Sequence, residues 1–186
     1  MPKVSDEHLA ARRQQILDAA AACFARQGFH RTSMSDIVRE CGVSAGLVYR
    51  YFSSKDEMIE EIVREWHAHR AVALQAGDAT ESYLGLLREL GTPAGPDPGL
   101  ALQVWAESVR SPEIRALARE GVDAARRSAA EVVGSDALVR VLIAVYQGLL
   151  VQTAWDESLD NGAFVEAVRG VLDRLNPGDS GVFGGP

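Results

Sequence analysis

Hydrophobic residues recur along this chain at helical spacing, and no stretch of useful length alternates as a β-strand would. A first helix is predicted from about Asp6 to Gln27, with Gly28 as its stop. Its apolar face contains Ile16, Ala20, Cys23 and Phe24. Similar patterns, separated by short breaks, continue towards the C-terminus. Together they predict an all-α fold of about nine helices.

Two short helices joined by a tight turn are predicted next. Ser33 and Asp36 have the spacing of a capping box that opens a helix. Gly42 would end this helix, which makes Cys41 its last residue. Ser44 can cap the following helix, which is predicted to reach Tyr51. A serine cap on each side of a glycine is typical of a helix-turn-helix.

Longer helices follow. Ser54 and Glu57 predict a full capping box that opens a fourth helix ending at Gly77. The remaining helices are predicted at Thr80–Leu90, Leu100–Val109, Pro112–Val133, from Ser135 to about Glu157, and at Asn161–Leu175. We expect domains at residues 1–54 and 55–176, followed by a flexible tail at 177–186.

The third predicted helix has an unusual outward face. Four apolar residues can pack together and onto the first helix: Ile37, Val43, Val48 and Phe52. This leaves a mainly outward set of Ser44, Ala45, Gly46, Leu47, Tyr49, Arg50 and Tyr51. Small residues at its start would let this helix approach the floor of a DNA major groove. Tyr49 and Tyr51 could donate to phosphate, Arg50 could pair with phosphate or guanine, and Lys55 stands at a helix N-terminus facing the DNA backbone.

This segment resembles the DNA-binding domain of the TetR/AcrR family of transcriptional regulators. The matching residues are Thr32-Ser33, Ile37, Val38, Gly42-Val43-Ser44, Gly46, Tyr49, Tyr51-Phe52 and Ser54-Lys55, with Ala22, Phe24, Gly28 and Phe29 in the preceding helix. Cys41, where Ala is usual, and the preceding Glu40 are mild departures. The DNA-binding residues expected are Thr32, Ser33, Ser35, Ser44, Ala45, Gly46, Leu47, Tyr49, Arg50, Tyr51 and Lys55. The competing interpretation is a capped helical hairpin without DNA contacts.

The resemblance implies a sequence-specific regulator, a repressor that binds a palindromic double-stranded DNA operator as a homodimer and is released by a small-molecule effector. It also implies a C-terminal ligand-binding and dimerisation domain. The last two helices are apolar on more than one face, which favours a helix–helix interface between two chains. The expected interface residues are Leu138, Leu142, Val145, Leu149, Thr153, Phe164, Val165, Val168 and Leu172. The alternative is that both helices are buried within one chain.

An apolar pocket with few polar groups is expected in the C-terminal domain. Its candidate lining residues are Trp66, Tyr83, Leu87, Gln103, Trp105, Glu107, Tyr146 and Gln147. Buried aromatic residues belong to a protein core more often than to a ligand site, so each has a purely structural alternative. Glu107 would favour a cationic ligand if it faced inward.

Charge is distributed unevenly along the chain. The net charge is −7, but residues 1–55 hold eight Lys or Arg against five Asp or Glu, and the remainder holds eleven against twenty-one. A basic N-terminal third on an acidic body is compatible with DNA binding. We predict no cofactor and no metal site, because Cys23 and Cys41 make no metal pattern and His67 and His69 point to different sides of a helix.

Several function classes receive little support. No arrangement of residues indicates an enzyme. No secretory signal is visible, and the apolar stretch from Ala137 to Trp155 contains Arg140, Gln147 and Gln152, so we expect a buried helix in a cytoplasmic, nucleoid-associated protein rather than a membrane span. An activator, a thiol-based redox regulator and a DNA-bound protein that holds a protein partner remain alternatives.

Overall fold

The computed structural model describes residues 6–75 and 77–175, and within them the side chains of all but residues 128, 131, 132 and 175. This part of the chain forms nine α-helices and no β-strand, so the predicted all-α fold is confirmed. The helices are α1 (Asp6–Gln27), α2 (Met34–Cys41), α3 (Ala45–Tyr51), α4 (Lys55–Leu74), α5 (Ala79–Glu89), α6 (Pro98–Ser108), α7 (Pro112–Val133), α8 (Asp136–Thr153) and α9 (Asn161–Leu175). The tail predicted at 177–186 lies outside the described residues.

Five helices, α1, α2, α3, α7 and α9, have their predicted bounds, and caps explain three of them. At α2, the Ser33 hydroxyl accepts from the Asp36 N–H while the Asp36 carboxylate accepts from the Ser33 N–H. The residues after α2 and α7 are Gly42 and Gly134, with φ of 68° and 71°. This left-handed conformation is costly for any residue with a Cβ, so glycine is a reliable helix stop there.

Three other boundaries differ from the prediction by two residues or more. Helix α6 begins at Pro98 rather than Leu100, because the Asp97 carboxylate caps it by accepting from the Leu100 N–H at 2.7 Å. Helix α4 ends at Leu74, before Gly77, and α8 ends at Thr153 instead of continuing towards Glu157. The difference between the predicted and the observed boundary is largest where no Asp, Ser or Gly cap stands at the helix terminus.

The predicted capping box at the start of α4 is shared between two serines. The Glu57 N–H donates to the Ser54 hydroxyl at 3.2 Å, as predicted. The Glu57 carboxylate, however, accepts from the N–H and hydroxyl of Ser53, at 2.7 and 2.8 Å. These bonds, the backbone one first, lower the pKa of Glu57. The cap therefore reaches one residue further back along the chain than the sequence pattern indicated.

The chain divides into two compact units, Met1–Glu65 (unit 1) and Trp66–Pro186 (unit 2). The division falls within α4, whereas the sequence placed a domain boundary at its first residue. The reason lies in the first half of α4, whose apolar residues are all buried. They are Met58, Ile59, Ile62 and Val63. Within unit 1, Arg13 of α1 also forms an ion pair with Glu61 of α4, at 3.0 Å.

The core of unit 2 is built mainly from α5, α8 and α9. It includes Tyr83, Leu84, Leu87, Leu142, Leu149, Val165 and Leu172, all buried. Four of these residues, Leu142, Leu149, Val165 and Leu172, were predicted to form a dimer interface. That assignment is wrong for them, because their side chains are already packed inside their own unit.

Helix α8 is buried on one side only. Val141, Val151 and nearby Trp155 are among the exposed large hydrophobic residues of the chain. Within one chain, the predicted burial of this helix is therefore seen on one of its faces. By length and composition alone α8 could also cross a membrane, but the core helix of a globular protein passes the same test.

Candidate nucleic-acid interface and ligand cavity

The α2–α3 turn in unit 1 is fixed by local hydrogen bonds. The Gly42 N–H donates to the Val38 carbonyl oxygen at 3.2 Å and closes α2. Two residues later the Ser44 hydroxyl accepts from the Leu47 N–H at 3.3 Å and opens α3. These are the bonds that the sequence pattern predicted for a helix-turn-helix.

The inner face of this turn is apolar. Ile37, Val48 and Phe52 are fully buried, as predicted, while Val43 is half-buried. The Arg13 guanidinium of α1 lies 5.0 Å from the centre of the Phe52 ring. The buried middle and C-terminal end of α3, together with Arg13 of α1, thus hold the inner face in place.

The outer face of α3 is open. Its exposed residues are Ser44, Ala45, Gly46, Tyr49 and Arg50, with Leu47 and Tyr51 half-buried. Tyr49 is 54% exposed. A Cβ built on Gly46 would meet nothing within 4 Å, so the first turn of α3 is bare backbone facing solvent. Among the ion pairs of residues 6–75 and 77–175, none includes Arg50.

Two predicted DNA contacts, Ser33 and Ser35, are exposed at the start of α2. Ser33 is already engaged as the helix cap. Its hydroxyl also donates to the Asp36 carboxylate at 2.6 Å. The hydrogen bonds from Ser33, with a smaller contribution from Arg39, lower the pKa of Asp36 to about 2. The capping carboxylate therefore stays charged throughout the physiological range.

Thr32 is placed differently from its prediction as a DNA contact. It is 1% exposed, and its hydroxyl lies 2.9 Å from the Gly28 carbonyl oxygen and 3.2 Å from that of Cys23. A buried hydroxyl that already has acceptors cannot reach a phosphate without leaving them. Thr32 therefore stabilises the connection between α1 and α2 and is not an accessible DNA contact.

Lys55 is also engaged within unit 1. Its ammonium donates to the carbonyl oxygens of Phe29 at 2.8 Å and Thr32 at 3.2 Å, with that of His30 at 3.4 Å. It also lies 4.7 Å from the centre of the Phe29 ring. Lys55 thus ties the first residue of α4 to the α1–α2 connection, a role that the sequence pattern did not suggest.

Both cysteines are buried free thiols. Burial, as the largest cause, raises the pKa of Cys23 and of Cys41. A raised pKa lowers the fraction of thiolate, which is the species that oxidants attack. These environments argue against the redox-sensing alternative.

Unit 2 contains a cavity of about 130 Å³. Its walls are Arg70, Leu74, Ala79, Tyr83, Leu86, Trp105, Gly121, Val122, Ala125, Ala129, Val133, Val139, Leu142, Ile143, Tyr146 and Gln147. Four of the eight predicted lining residues are among them, namely Tyr83, Trp105, Tyr146 and Gln147. The wall is mostly aliphatic and aromatic, as expected for a small-molecule site.

The other four predicted lining residues do not border this cavity. They are Trp66, Leu87, Gln103 and Glu107. Leu87 is fully buried in the core of unit 2, and Trp66 packs against that core. Gln103 and Glu107 are half-buried on α6. Helical spacing places these residues on apolar or adjoining faces, but it does not distinguish a core contact from a cavity wall.

The contribution of α7 and of Arg70 to the cavity was not predicted from the sequence. Gly121, Ala125 and Ala129 stand four residues apart on one face of α7 and leave room beside them. This regular spacing of small residues was the signal that could have identified the wall. Arg70 of α4 is the one charged residue among the described residues of the lining, and its guanidinium lies 5.7 Å from the centre of the Tyr146 ring.

The two tyrosines in the wall differ in their hydrogen bonds. The Tyr83 hydroxyl donates to the Leu142 carbonyl oxygen at 2.8 Å and links α5 to α8. Tyr146 instead faces the Arg70 guanidinium, whose carbon lies 5.7 Å from the centre of its ring. Burial raises the pKa of both phenols, so each remains protonated and able to donate.

His67 and Gly121 bring α4 and α7 into close contact within unit 2. A Cβ on Gly121 would clash with the His67 ring, so any other residue here would require that ring to move. Burial, followed by the nearby charge of Arg70, lowers the pKa of His67 to about 4. Within the described residues no cluster of three His, Cys, Asp or Glu side chains could hold a metal ion.

Comparisons with known proteins give a consistent result. The family model described as "Bacterial regulatory proteins, tetR family" matches residues 16–62. The HTH-type transcriptional repressor Rv1474c of Mycobacterium tuberculosis is 37% identical over 90 residues, which cover 48% of this chain and 46% of that protein. The chain spans about half the length of this curated relative. The family-model match includes the whole of the α2–α3 turn.

Solved structures extend the likeness to both units. A putative transcriptional regulator from Saccharomonospora viridis, in complex with choline, has a TM-score of 0.72 at 24% identity, covering 90% of this chain and 97% of that one. Salmonella enterica GusR has a TM-score of 0.68 at 24% identity, covering 94% and 98%. At this level of identity the structures support the fold alone. The relatives from M. tuberculosis and S. viridis are named as a transcriptional repressor and a putative transcriptional regulator.

Proposed function

Because this chain belongs to the tetR family of bacterial regulatory proteins, we propose that it is a cytoplasmic repressor. It binds a palindromic operator as a homodimer and dissociates when a small molecule occupies unit 2. The observation that carries the proposal is the outer face of α3, which is exposed, polar and small at its first turn. The inner face of the same helix is fully anchored. A rigid helix with a bare leading turn is suited to a major groove.

The contacts proposed on DNA follow from accessibility. Gly46 and Ala45 allow the start of α3 to approach base edges, and Arg50 supplies a cation for guanine or phosphate. Tyr49 and Ser44 present hydroxyls suited to phosphate oxygens. Thr32 is left out of this set, and Lys55 acts first by holding the α1–α2 connection.

A homodimer is proposed because one seven-residue helix reads too few bases for useful specificity. The interface proposed is the exposed face of α8 together with the adjoining residues of α9. Val141 is 56% exposed and Trp155 is 69% exposed, with Ala144, Gly148 and Val151 between them at intervals of three or four residues. An apolar stripe with this spacing is typical of helix–helix packing between chains. The half-buried Leu138, Val145, Thr153, Phe164 and Val168 would adjoin this stripe.

Release by a ligand is proposed to act through α4. This one helix carries Lys55, bonded to the carbonyl oxygens before α2, and Arg70, which lines the cavity. The cavity and the choline bound by the regulator from S. viridis support a small-molecule effector. To release DNA, the effector must bind the DNA-incompetent state more tightly, with a coupling of about 1–3 kcal/mol.

DNA selection with the purified protein tests this function. We expect enrichment of a palindrome whose half-sites lie about one helical turn, or a multiple of it, apart. Arg50→Ala should weaken binding by about 1–3 kcal/mol if Arg50 contacts guanine. If Arg50 contacts a phosphate, its removal should lower the slope of log affinity against log salt concentration by about 1. Arg119→Ala, an exposed arginine on α7, serves as the matched control. Sequence-independent binding, or equal affinity of Arg50→Ala and the wild type, would refute the proposed interface.

The oligomeric state is tested separately by sedimentation. Val141→Lys combined with Trp155→Lys should convert a dimer into a monomer, because both side chains lie on the proposed interface and outside the core. Val72→Lys, which is exposed on α4, is the control. A monomeric wild type would exclude the paired reading of two half-sites.

A further inference from the structure

Among the residues that the structure describes, the lining of the cavity in unit 2 carries a positive charge and no negative one. Arg70 is the charged residue among the sixteen that line it, and the lining contains neither Asp nor Glu. Among the ion pairs formed within residues 6–75 and 77–175, none includes Arg70. Its contact in the structure is the Tyr146 ring, with 5.7 Å between the guanidinium carbon and the ring centre. Glu107, which would have favoured a cationic ligand, does not border the cavity.

A half-buried guanidinium without a carboxylate partner attracts an anion. Arginine stays charged at any pH the protein experiences, and its planar fork of N–H groups matches a carboxylate with two parallel hydrogen bonds. A cation placed beside Arg70 would meet like-charge repulsion in a poorly solvated space. The sign of the charge therefore selects against amines and quaternary ammonium compounds.

Two neutral donors accompany Arg70 in the lining. Tyr146 is buried and protonated, and the side-chain amide of Gln147, the next residue on α8, can donate as well. Tyr83 is not free for this purpose, since its hydroxyl is bonded to Leu142. Three donor groups of this kind suit the two oxygens of one carboxylate.

The remaining wall sets the size and polarity of the rest of the ligand. It is mostly apolar, and it includes Trp105 and the small residues of α7. The volume of about 130 Å³ is close to that of an engineered cavity, roughly 150 Å³, which holds one benzene ring. An apolar body of one ring, or of a chain of about six carbons, fits this space.

We propose that the effector of this protein is a small monocarboxylate with a single-ring or short-chain apolar body, and that Arg70 binds its carboxylate. This inference rests on the ligand-released function proposed above and specifies the chemistry of its ligand. The carboxylate would replace Tyr146 as a partner of the guanidinium. Because Arg70 belongs to α4, binding of the carboxylate would act on that helix directly.

Calorimetric titration of the protein without DNA tests the ligand class. The probes are benzoate and hexanoate. Neutral benzamide and cationic benzyltrimethylammonium are the matched controls, which are expected to bind weakly or not at all. We expect both carboxylates to bind and the cation not to bind. Loss of a charge-assisted hydrogen bond should make benzamide weaker by at least roughly tenfold.

Variants assign the carboxylate to Arg70. Arg70→Gln should lower benzoate affinity by at least roughly tenfold and leave benzamide affinity unchanged, while Arg110→Gln, an exposed residue, should change neither. Absence of carboxylate binding at millimolar concentration, equal affinity of benzoate and benzamide, or an unaltered Arg70→Gln variant would overturn the proposal.

A DNA-release assay separates this inference from the function on which it rests. Benzoate that binds through Arg70 should also displace the selected operator from the wild type. Benzoate that binds but leaves the DNA complex intact would contradict the release mechanism while the ligand class stands. Release by benzyltrimethylammonium instead would keep the mechanism and refute the ligand class.

Discussion

Unit 1 and unit 2 build their candidate sites in opposite ways. The outer face of α3 comes from one stretch of the chain, and its caps at Ser33, Gly42 and Ser44 lie within twelve residues of one another. The cavity draws residues from five helices, between Arg70 of α4 and Gln147 of α8. A site made of neighbours along the chain is specified by local hydrogen bonds. A site made of distant residues exists only after the helices have packed.

The largest effect is expected from removing a core side chain of one unit. Phe24→Ala should destabilise unit 1 by about 3–5 kcal/mol, because Phe24 is fully buried and leaves a large cavity. Trp66, Trp105 and Trp155, the three tryptophans of the chain, all belong to unit 2. In urea, circular dichroism of the variant should therefore show an early loss of helix that tryptophan fluorescence does not follow.

Leu149→Ala is the matched variant in unit 2, where Leu149 is equally buried. It should lower the free energy of unfolding that tryptophan fluorescence reports by about 2–5 kcal/mol. If both probes instead report one coincident transition in both variants, the two units unfold together and the comparison fails.

The same contrast explains how much could be predicted from the sequence. The α2–α3 turn could be predicted, because a serine cap or a left-handed glycine forms its hydrogen bond with a residue no more than four positions away. Leu142 and Leu149 were wrongly assigned to a dimer interface, because α8 is apolar on several faces and periodicity does not say which face is inside. Arg70 was missed because an arginine on an amphipathic helix looks solvated until its neighbours are known. Thr32 matched the family pattern, but its burial depends on the α1–α2 connection.

An acid-induced effect of intermediate size is expected at His67. Its pKa is about 4 in the folded protein against 6.5 for an unperturbed histidine, so folded and unfolded states bind equal numbers of protons above about pH 6.5. Below that pH the unfolded state alone takes up the proton. Folding stability should therefore fall by up to about 1.4 kcal/mol per pH unit between pH 6.5 and 4.

Unfolding of His67→Gln, followed by tryptophan fluorescence at several pH values, checks this prediction. The variant should lose the corresponding part of the slope, while His69→Gln, an exposed histidine bonded to Glu89 at 2.8 Å, should retain it. Asp36 in unit 1 has its pKa lowered to about 2 from 3.8, so its stabilisation is present above about pH 3.8 and is lost only as the pH falls towards 2. Acid should thus weaken unit 2 before this cap in unit 1. Parallel slopes for wild type and His67→Gln would show that His67 is not held neutral.

The smallest change in stability, and the sharpest test of α3, comes from two glycines four residues apart. Neither has an atom within 4 Å of an added Cβ, so steric clash is excluded for both. Gly42 has φ of 68°, and alanine there should cost about 1–2 kcal/mol in backbone strain. Gly46 lies inside α3, and alanine there should stabilise the helix by about 0.5–1 kcal/mol. Operator affinity should nevertheless fall in Gly46→Ala, because the methyl group occupies the space proposed for the floor of the groove. A thermal melt and a DNA titration of the same samples separate the two effects. A Gly46→Ala protein that is more stable and binds its operator as tightly as the wild type would place the first turn of α3 away from DNA.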